Sequence, residues 1–263
     1  MKAFDERFER LEIKYLIDEF MADRLRRDIA PFCVADSHNE NDREQPSYSI
    51  CSLYLDSPSL AFHQAKERGD PVRLKLRIRT YGDAPLAVLE IKRKISDVID
   101  KSRTTISRPD VERAVLGLLD TSAEPIEVRR FLDEFAYIVA TSGAQPTLQI
   151  RYDREAYVSA VDEYARVTFD RKIAARREES WTPRSSLSGW SEFDDSWRPD
   201  QENRSVVLEL KCESAIPFWM SDLVRKHSLT ARSFSKYSIG IQMTGRQYGE
   251  RFIARRSARV MTA

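Results

Sequence analysis

Residues 72–79 alternate without a slip. Val72, Leu74, Leu76 and Ile78 take one set of positions, and Arg73, Lys75, Arg77 and Arg79 take the other. Successive side chains on a strand point to opposite faces. The segment therefore predicts a strand, within residues 71–81, with one apolar face and one row of four cations. Like charges on one face repel. Such a row needs water, neighbouring carboxylates or a bound polyanion, and this strand alone does not choose among them. The alternation recurs. Residues 8–17 set Arg10, Glu12 and Lys14 against Leu11, Ile13 and Tyr15. Residues 86–94 put Glu90, Lys92 and Lys94 on one face, and residues 101–105 do the same with Lys101, Arg103 and Thr105. Residues 166–173 align Arg166, Thr168, Asp170 and Lys172, and residues 206–212 set Glu209 and Lys211 against Leu208 and Leu210. Residues 47–56, 146–154 and 156–160 also read as strands.

Helical spacing appears between these segments. Asp18 is an N-cap for a helix over 18–30 that stops near Pro31. Ser57 and Pro58 open a short helix, as cap and first residue. Helices over 109–119 and 126–141 carry Leu116, Leu119, Phe131, Leu132, Phe135, Ile138 and Val139 as core positions. A helix over 216–227 starts at Pro217. Residues 36–46 are a polar loop, and Tyr81-Gly82-Asp83 is a turn. Residues 176–204 break the pattern, with Trp181, Trp190 and Trp197 scattered among polar residues, as in a long loop insertion. The organisation expected is one domain over 1–245 and a basic tail over 246–263.

At least six segments thus carry one charged and one apolar face. Solvated charged faces would force the apolar faces together as a sandwich. A closed barrel would instead turn the charged faces inward and leave helices to cover the outside. About eight strands give an interior wide enough for a ligand. Mixed Arg, Lys and Glu lining such a space suits a phosphate chain with a divalent metal: Arg and Lys hold the oxygens, and carboxylates hold the ion.

Composition narrows the classes. Lys and Arg number 43 and Asp and Glu 42, so no global field favours nucleic acid or an acidic membrane. Cys33, Cys51 and Cys212 show no paired spacing, which argues against a disulfide framework and a zinc site and fits a reducing compartment. His38, His63 and His227 are scattered. There is no apolar leader and no apolar run near the ~18 residues of a membrane helix. A soluble, cytoplasmic chain is expected, with a membrane partner left open.

The ordered motifs are Arg10-Leu-Glu12-Ile-Lys14-Tyr15, Ser52-Leu-Tyr54-Leu-Asp56, Arg77-Ile-Arg79-Thr-Tyr81-Gly82, Glu90-Ile-Lys92-Arg-Lys94 and Lys101-Ser-Arg103. They continue with Tyr152-Asp-Arg154, Arg166-Val-Thr-Phe-Asp170, Leu208-Glu209-Leu-Lys211 and Ser235-Lys236-Tyr237. In this order they resemble the VTC domain, the polyphosphate-polymerase branch of the triphosphate tunnel metalloenzymes, related to the CYTH proteins. The resemblance spans about residues 5–243. It implies an α+β fold: an antiparallel β-barrel tunnel of about eight strands with a charged lumen, flanked by helices.

The activity implied is transfer of the γ-phosphoryl of ATP to a growing polyphosphate chain, with Mn²⁺ or Mg²⁺ as cofactor and ATP and polyphosphate or diphosphate as partners. A tunnel hydrolase of triphosphates, or a polyphosphate or inositol-phosphate binding module, are the alternatives. The resemblance implies that Lys14, Arg77, Arg79, Lys92, Lys94, Lys101, Tyr152, Arg154, Arg166, Ser235 and Lys236 bind phosphates. Among these, Arg77, Arg79, Arg154, Arg166 and Lys236 would act at the transferred group, and Glu209 would be the metal ligand. Arg10 stands where the wider superfamily's opening motif has an acid, which weakens the hydrolase alternative. Strict alternation groups Arg154 with Leu148, Ile150 and Tyr152, so either a bulge intervenes or Arg151 faces the lumen instead.

Overall fold

The computed structural model describes residues 11–39, 47–96, 98–162, 164–186, 188–192, 206–213 and 215–245. In chain order the elements begin β1 (Leu11–Ile17), α1 (Glu19–Ile29), β2 (Cys33–Ala35), β3 (Tyr48–Asp56), α2 (Ala61–Arg68) and β4 (Val72–Tyr81). They continue with β5 (Leu86–Ile95), β6 (Val98–Ser107), α3 (Val111–Val115), α4 (Ile126–Ser142), β7 (Gln145–Ser159) and β8 (Ala165–Arg177). Then come β9 (Ser191–Glu192), β10 (Val206–Cys212), α5 (Phe218–Lys226) and α6 (Lys236–Met243). The strand order is β1-β10-β8-β7-β3-β4-β5-β6, with β2 paired to β7 and β9 to β8. The expected antiparallel α+β fold is present, with eight strands on the main path of the sheet. Among the described residues, no helix is long and apolar enough to cross a membrane.

The chain divides into two compact units. The first takes residues 1–49, 152–172 and 194–234, and the second 50–151, 173–193 and 235–263. In the first unit, alternation places Tyr15, Ile17, Val167, Phe169, Leu208 and Leu210 on one face of β1, β8 and β10. They pack with Leu25 and Ile29 of α1 and Trp219, Met220 and Leu223 of α5. The α1 cap is as the sequence predicts, with the Met21 amide donating to Asp18 Oδ1 at 2.7 Å.

The second unit repeats the scheme with other strands. Leu53, Leu55, Leu76, Ile78, Leu89 and Ile91 of β3, β4 and β5 pack against Val111 and Val115 of α3 and Phe131, Leu132, Phe135 and Val139 of α4. In both units helices bury the apolar strand face, which is what the barrel alternative requires and the sandwich does not. Burying each such side chain is worth roughly 1.5–3 kcal/mol.

Four stretches differ from the sequence pattern. The helix expected at Ser57 starts at Ala61 instead. The Asp56 carboxylate accepts from the amides of Ser57, Phe62 and His63, and Ser57 Oγ accepts from Ala61. These bonds supply the cap from a distance, and Leu60 turns through a left-handed φ of 57°. The helix expected over 109–119 is a single 3₁₀ turn (Arg108–Asp110) followed by α3, which ends before Gly117 at φ 70°. The strands expected at 146–154 and 156–160 are one strand, β7. Within 176–204, β8 runs to Arg177 and β9 pairs back onto Ala174 and Ala175. Trp181 packs on the second unit's core. Arg10, Trp197 and the 246–263 tail lie outside the described residues.

Candidate functional site

In the first unit the polar strand face gathers around Glu209, whose residue is 3% exposed. Lys14 stands opposite Glu209 in register, and Lys211 stands opposite both Glu12 and Arg166. Glu209 takes ion pairs from Lys211 at 2.9 Å, Arg154 at 3.3 Å and Lys14 at 3.5 Å. Lys14 also meets Glu12 at 3.0 Å. Arg154 lies across the ring of Tyr152, 5.3 Å from its centroid, and forks onto Asp170 with bonds of 2.6 and 2.7 Å. Burial opposes charge on Arg154, but Asp170, Tyr152 and Glu209 outweigh it and hold the guanidinium firmly protonated. Arg166 pairs with Asp36, which is 6% exposed. The cations Lys14, Arg154, Arg166 and Lys211 each have a carboxylate.

The second unit's polar face is built differently. Ser52 and Tyr54 of β3 stand opposite Arg79 and Arg77 of β4. Arg77 stands opposite Glu90 of β5, and Glu90 opposite Arg103 of β6. Lys75, Lys92 and Lys101 form a second rung and Arg73 and Lys94 a third. Across β4, β5 and β6, Glu90 is the one carboxylate on this face among the described residues. It accepts from Arg77 Nε at 2.5 Å and pairs with Lys101 at 2.6 Å. Burial raises the Glu90 carboxyl, but Arg77, Arg79 and Lys101 overcome it and hold it far below the usual carboxylate range. Tyr54, 8% exposed, lies under Arg77 at 5.9 Å. Its burial is outweighed by Arg77, Lys75 and Arg79, which pull the phenol down. Arg79 donates to Ser52 Oγ at 3.3 Å.

Arg154 joins the cluster of Asp170 and Glu209, and Arg151 turns elsewhere. Leu148 and Ile150 meet Gly240 of α6, while Tyr152 and Arg154 share a face two residues apart. Arg151 turns to the Trp190 ring, 4.7 Å from its centroid, and reaches the Ser185 carbonyl at 3.5 Å. Ser235 is the N-cap of α6, its hydroxyl accepting from Ser238, and Lys236 is the first residue of that helix. The structure thus brings Lys14, Tyr152, Arg154, Arg166 and Glu209 together in one unit. Arg77, Arg79, Lys92, Lys94 and Lys101 share a strand face in the other. Sequence reading missed Asp36, because a carboxylate 130 residues from its arginine in a polar loop carries no pattern.

A divalent ion in the first unit would find Glu209 and Glu12, whose carboxylates share Lys14 and Lys211. No group of three His, Cys, Asp or Glu suited to a metal exists among the described residues. Mg²⁺ commonly uses one or two protein carboxylates, with water and phosphate completing its shell. The donor set fits an ion that arrives with phosphate and not one caged by protein. The cysteines are inert: burial pushes Cys33 up to about 11 and Cys51 up to about 12, and all three are free.

Among curated proteins no match is found. Solved structures similar to the chain include HpAC1 of Hippeastrum, reported to have a dominant triphosphatase activity. It shares 16% identity, with 89% of this chain and 95% of that one covered and a TM-score of 0.47. The PH1819 protein of Pyrococcus horikoshii shares 13% identity over 86% of this chain and 93% of its own, with a TM-score of 0.39. The model of the VTC domain matches residues 9–244. The chain belongs to the VTC domain family.

Proposed function

We propose that the protein is a metal-dependent polyphosphate polymerase that transfers the γ-phosphoryl of ATP to a phosphate chain. The observation that carries this reading is the cation-rich face of β4, β5 and β6, where cations outnumber Glu90, the one carboxylate on it among the described residues. Such a face attracts anions, and a phosphate chain supplies them at regular intervals. Family membership supports the same substrate class.

In the reaction, a terminal phosphate oxygen of the chain forms a bond to the γ-phosphorus as the bond to the β-phosphate oxygen breaks, and ADP leaves. The attacking oxygen is already anionic, so positioning and charge stabilisation matter more than a general base. The forks of Arg77 and Arg79 hold equatorial oxygens, and Lys92, Lys94 and Lys101 add point charges along the chain. Lys14, Arg154, Arg166 and Tyr152 contact phosphate in the first unit, and Ser235 and Lys236 do so at the start of α6. Glu209, with Glu12, would hold Mn²⁺ or Mg²⁺, which when bound neutralises phosphate charge.

The test is purified protein with γ-labelled ATP and Mn²⁺, resolved on a gel beside Arg79→Ala. Long labelled polymer that the variant fails to make is expected. Label in orthophosphate alone would replace the polymerase with a triphosphate hydrolase, and unconsumed ATP with retained phosphate binding would leave a binding module.

A further inference from the structure

Asp56 is fully buried at the end of β3. Its carboxylate takes three amide bonds from the entry to α2, at 2.8 Å from Ser57, 2.9 Å from Phe62 and 3.0 Å from His63. A fourth donor comes from 181 residues away: the Tyr237 hydroxyl, at 2.8 Å. Tyr237, 4% exposed, lies in the first turn of α6. Its ring stacks on Tyr54 with centroids 4.8 Å apart and planes at 16°, and its face meets His63 edge-on at 5.8 Å. Tyr54 lies beneath Arg77. Farther along α6, Gly240 sits so close to β7 that an added Cβ would lie 2.6 Å from Leu148 Cδ2 and 2.8 Å from Ile150 Cδ1. The helix is fixed at two points, one apolar and one polar.

The polar point is more than packing demands. A phenylalanine ring would fill the same space and leave no hydroxyl to satisfy, whereas a buried hydroxyl on a buried carboxylate is stable in only one orientation. That orientation sets the first turn of α6, and Lys236 immediately precedes Tyr237. A lysine has four rotatable bonds and delivers its charge to a defined place only if its backbone is held.

We propose that Asp56 and Tyr237 are positioning residues: their hydrogen bond fixes the first turn of α6 so that Ser235 and Lys236 meet the phosphate chain. The inference rests on the phosphate-binding reading above and adds two residues that touch no phosphate themselves.

The experiment is calorimetric titration of inorganic tripolyphosphate into wild type, Tyr237→Phe, Lys236→Ala and the double variant, with thermal melting as the check on folding. Tyr237→Phe keeps both ring contacts and loses the bond to Asp56. Its affinity is expected to fall about fivefold, and that of Lys236→Ala about tenfold. The double variant is expected to bind no more weakly than Lys236→Ala alone, because Tyr237 acts through Lys236. Multiplied losses in the double variant, or wild-type affinity in either single variant, would overturn the inference. Asp56→Asn gives the same cycle if Tyr237→Phe melts early. Wild type that does not bind tripolyphosphate, or Arg79→Ala that binds it equally well, would instead remove the phosphate reading itself and this inference with it.

Discussion

Glu209 and Glu90 are equally buried, at 3% exposure, and both are held by cations from neighbouring strands. Their surroundings differ in balance. Around Glu209, the charges of Lys14, Lys211, Arg154 and Arg166 are met by Glu12, Glu209, Asp170 and Asp36. Around Glu90, Arg77 and Lys101 pair with the one carboxylate on this face among the described residues, and the cations on the rungs beside it exceed it severalfold. The first face is internally neutralised. Its ion pairs hold the fold together, and a ligand must exchange with them. The second carries more cations than carboxylates among the described residues, and that excess acts on whatever anion reaches it. One alternating pattern therefore serves two ends, according to how many acids occupy the charged positions.

The largest test of this contrast is Arg154→Ala. It takes the bidentate partner from fully buried Asp170, and removing one member of a buried pair costs about 3–5 kcal/mol. Urea denaturation should show a loss of that size, and a loss under about 1 kcal/mol would deny that the first face is structural. Arg79→Ala should behave in the opposite way. Its stability should stay within about 1 kcal/mol of wild type while tripolyphosphate affinity falls about tenfold. A collapse in stability would erase the distinction between the faces.

Acid titration sharpens the contrast through Glu90. Its carboxyl is depressed in the folded state, so the stability it contributes is present above its unfolded value of about 4.3 and is lost as pH falls toward the folded value. Unfolding curves between neutral pH and the acid range should show a steeper acid loss for wild type than for Glu90→Gln. Matching slopes would mean that the cations do not hold Glu90 ionised. The smallest effect belongs to Arg151→Ala, which removes a contact with Trp190 worth about 0.5–1 kcal/mol and should leave tripolyphosphate affinity unchanged. Weakened binding there would favour Arg151 over Arg154 as the phosphate contact.

Much of this contrast was legible in the residue order. Alternation in residues 72–79 assigned the faces of β4 correctly, and the shared parity of Arg166 with Asp170 and of Glu209 with Lys211 located the first unit's cluster. What alternation lacks is distance along the chain. It did not show that Arg166 belongs to Asp36, nor that Asp56 holds Tyr237, because both bonds join residues that no local period relates. It also placed a helix at Ser57 on cap chemistry that was right in kind. There the buried Asp56 competes for the same amides and delays the helix to Ala61. Arg154 looked misplaced because it shares parity with Leu148 and Ile150, and sequence alone gave no sign that α6 would cover those two.

The cation-rich face of β4, β5 and β6 is proposed to take a phosphate chain as its ligand. The direct measurement is thermal unfolding of wild type and Arg79→Ala across a titration of tripolyphosphate. Arg79 suits the comparison because the Glu90 pairs are made by Arg77 and Lys101, while Arg79 donates to the Ser52 hydroxyl. Wild type should gain about 2.7 kcal/mol at a hundredfold excess over the dissociation constant, and the variant should gain clearly less at the same concentration. Equal stabilisation of the two proteins, or none of wild type, would contradict the account.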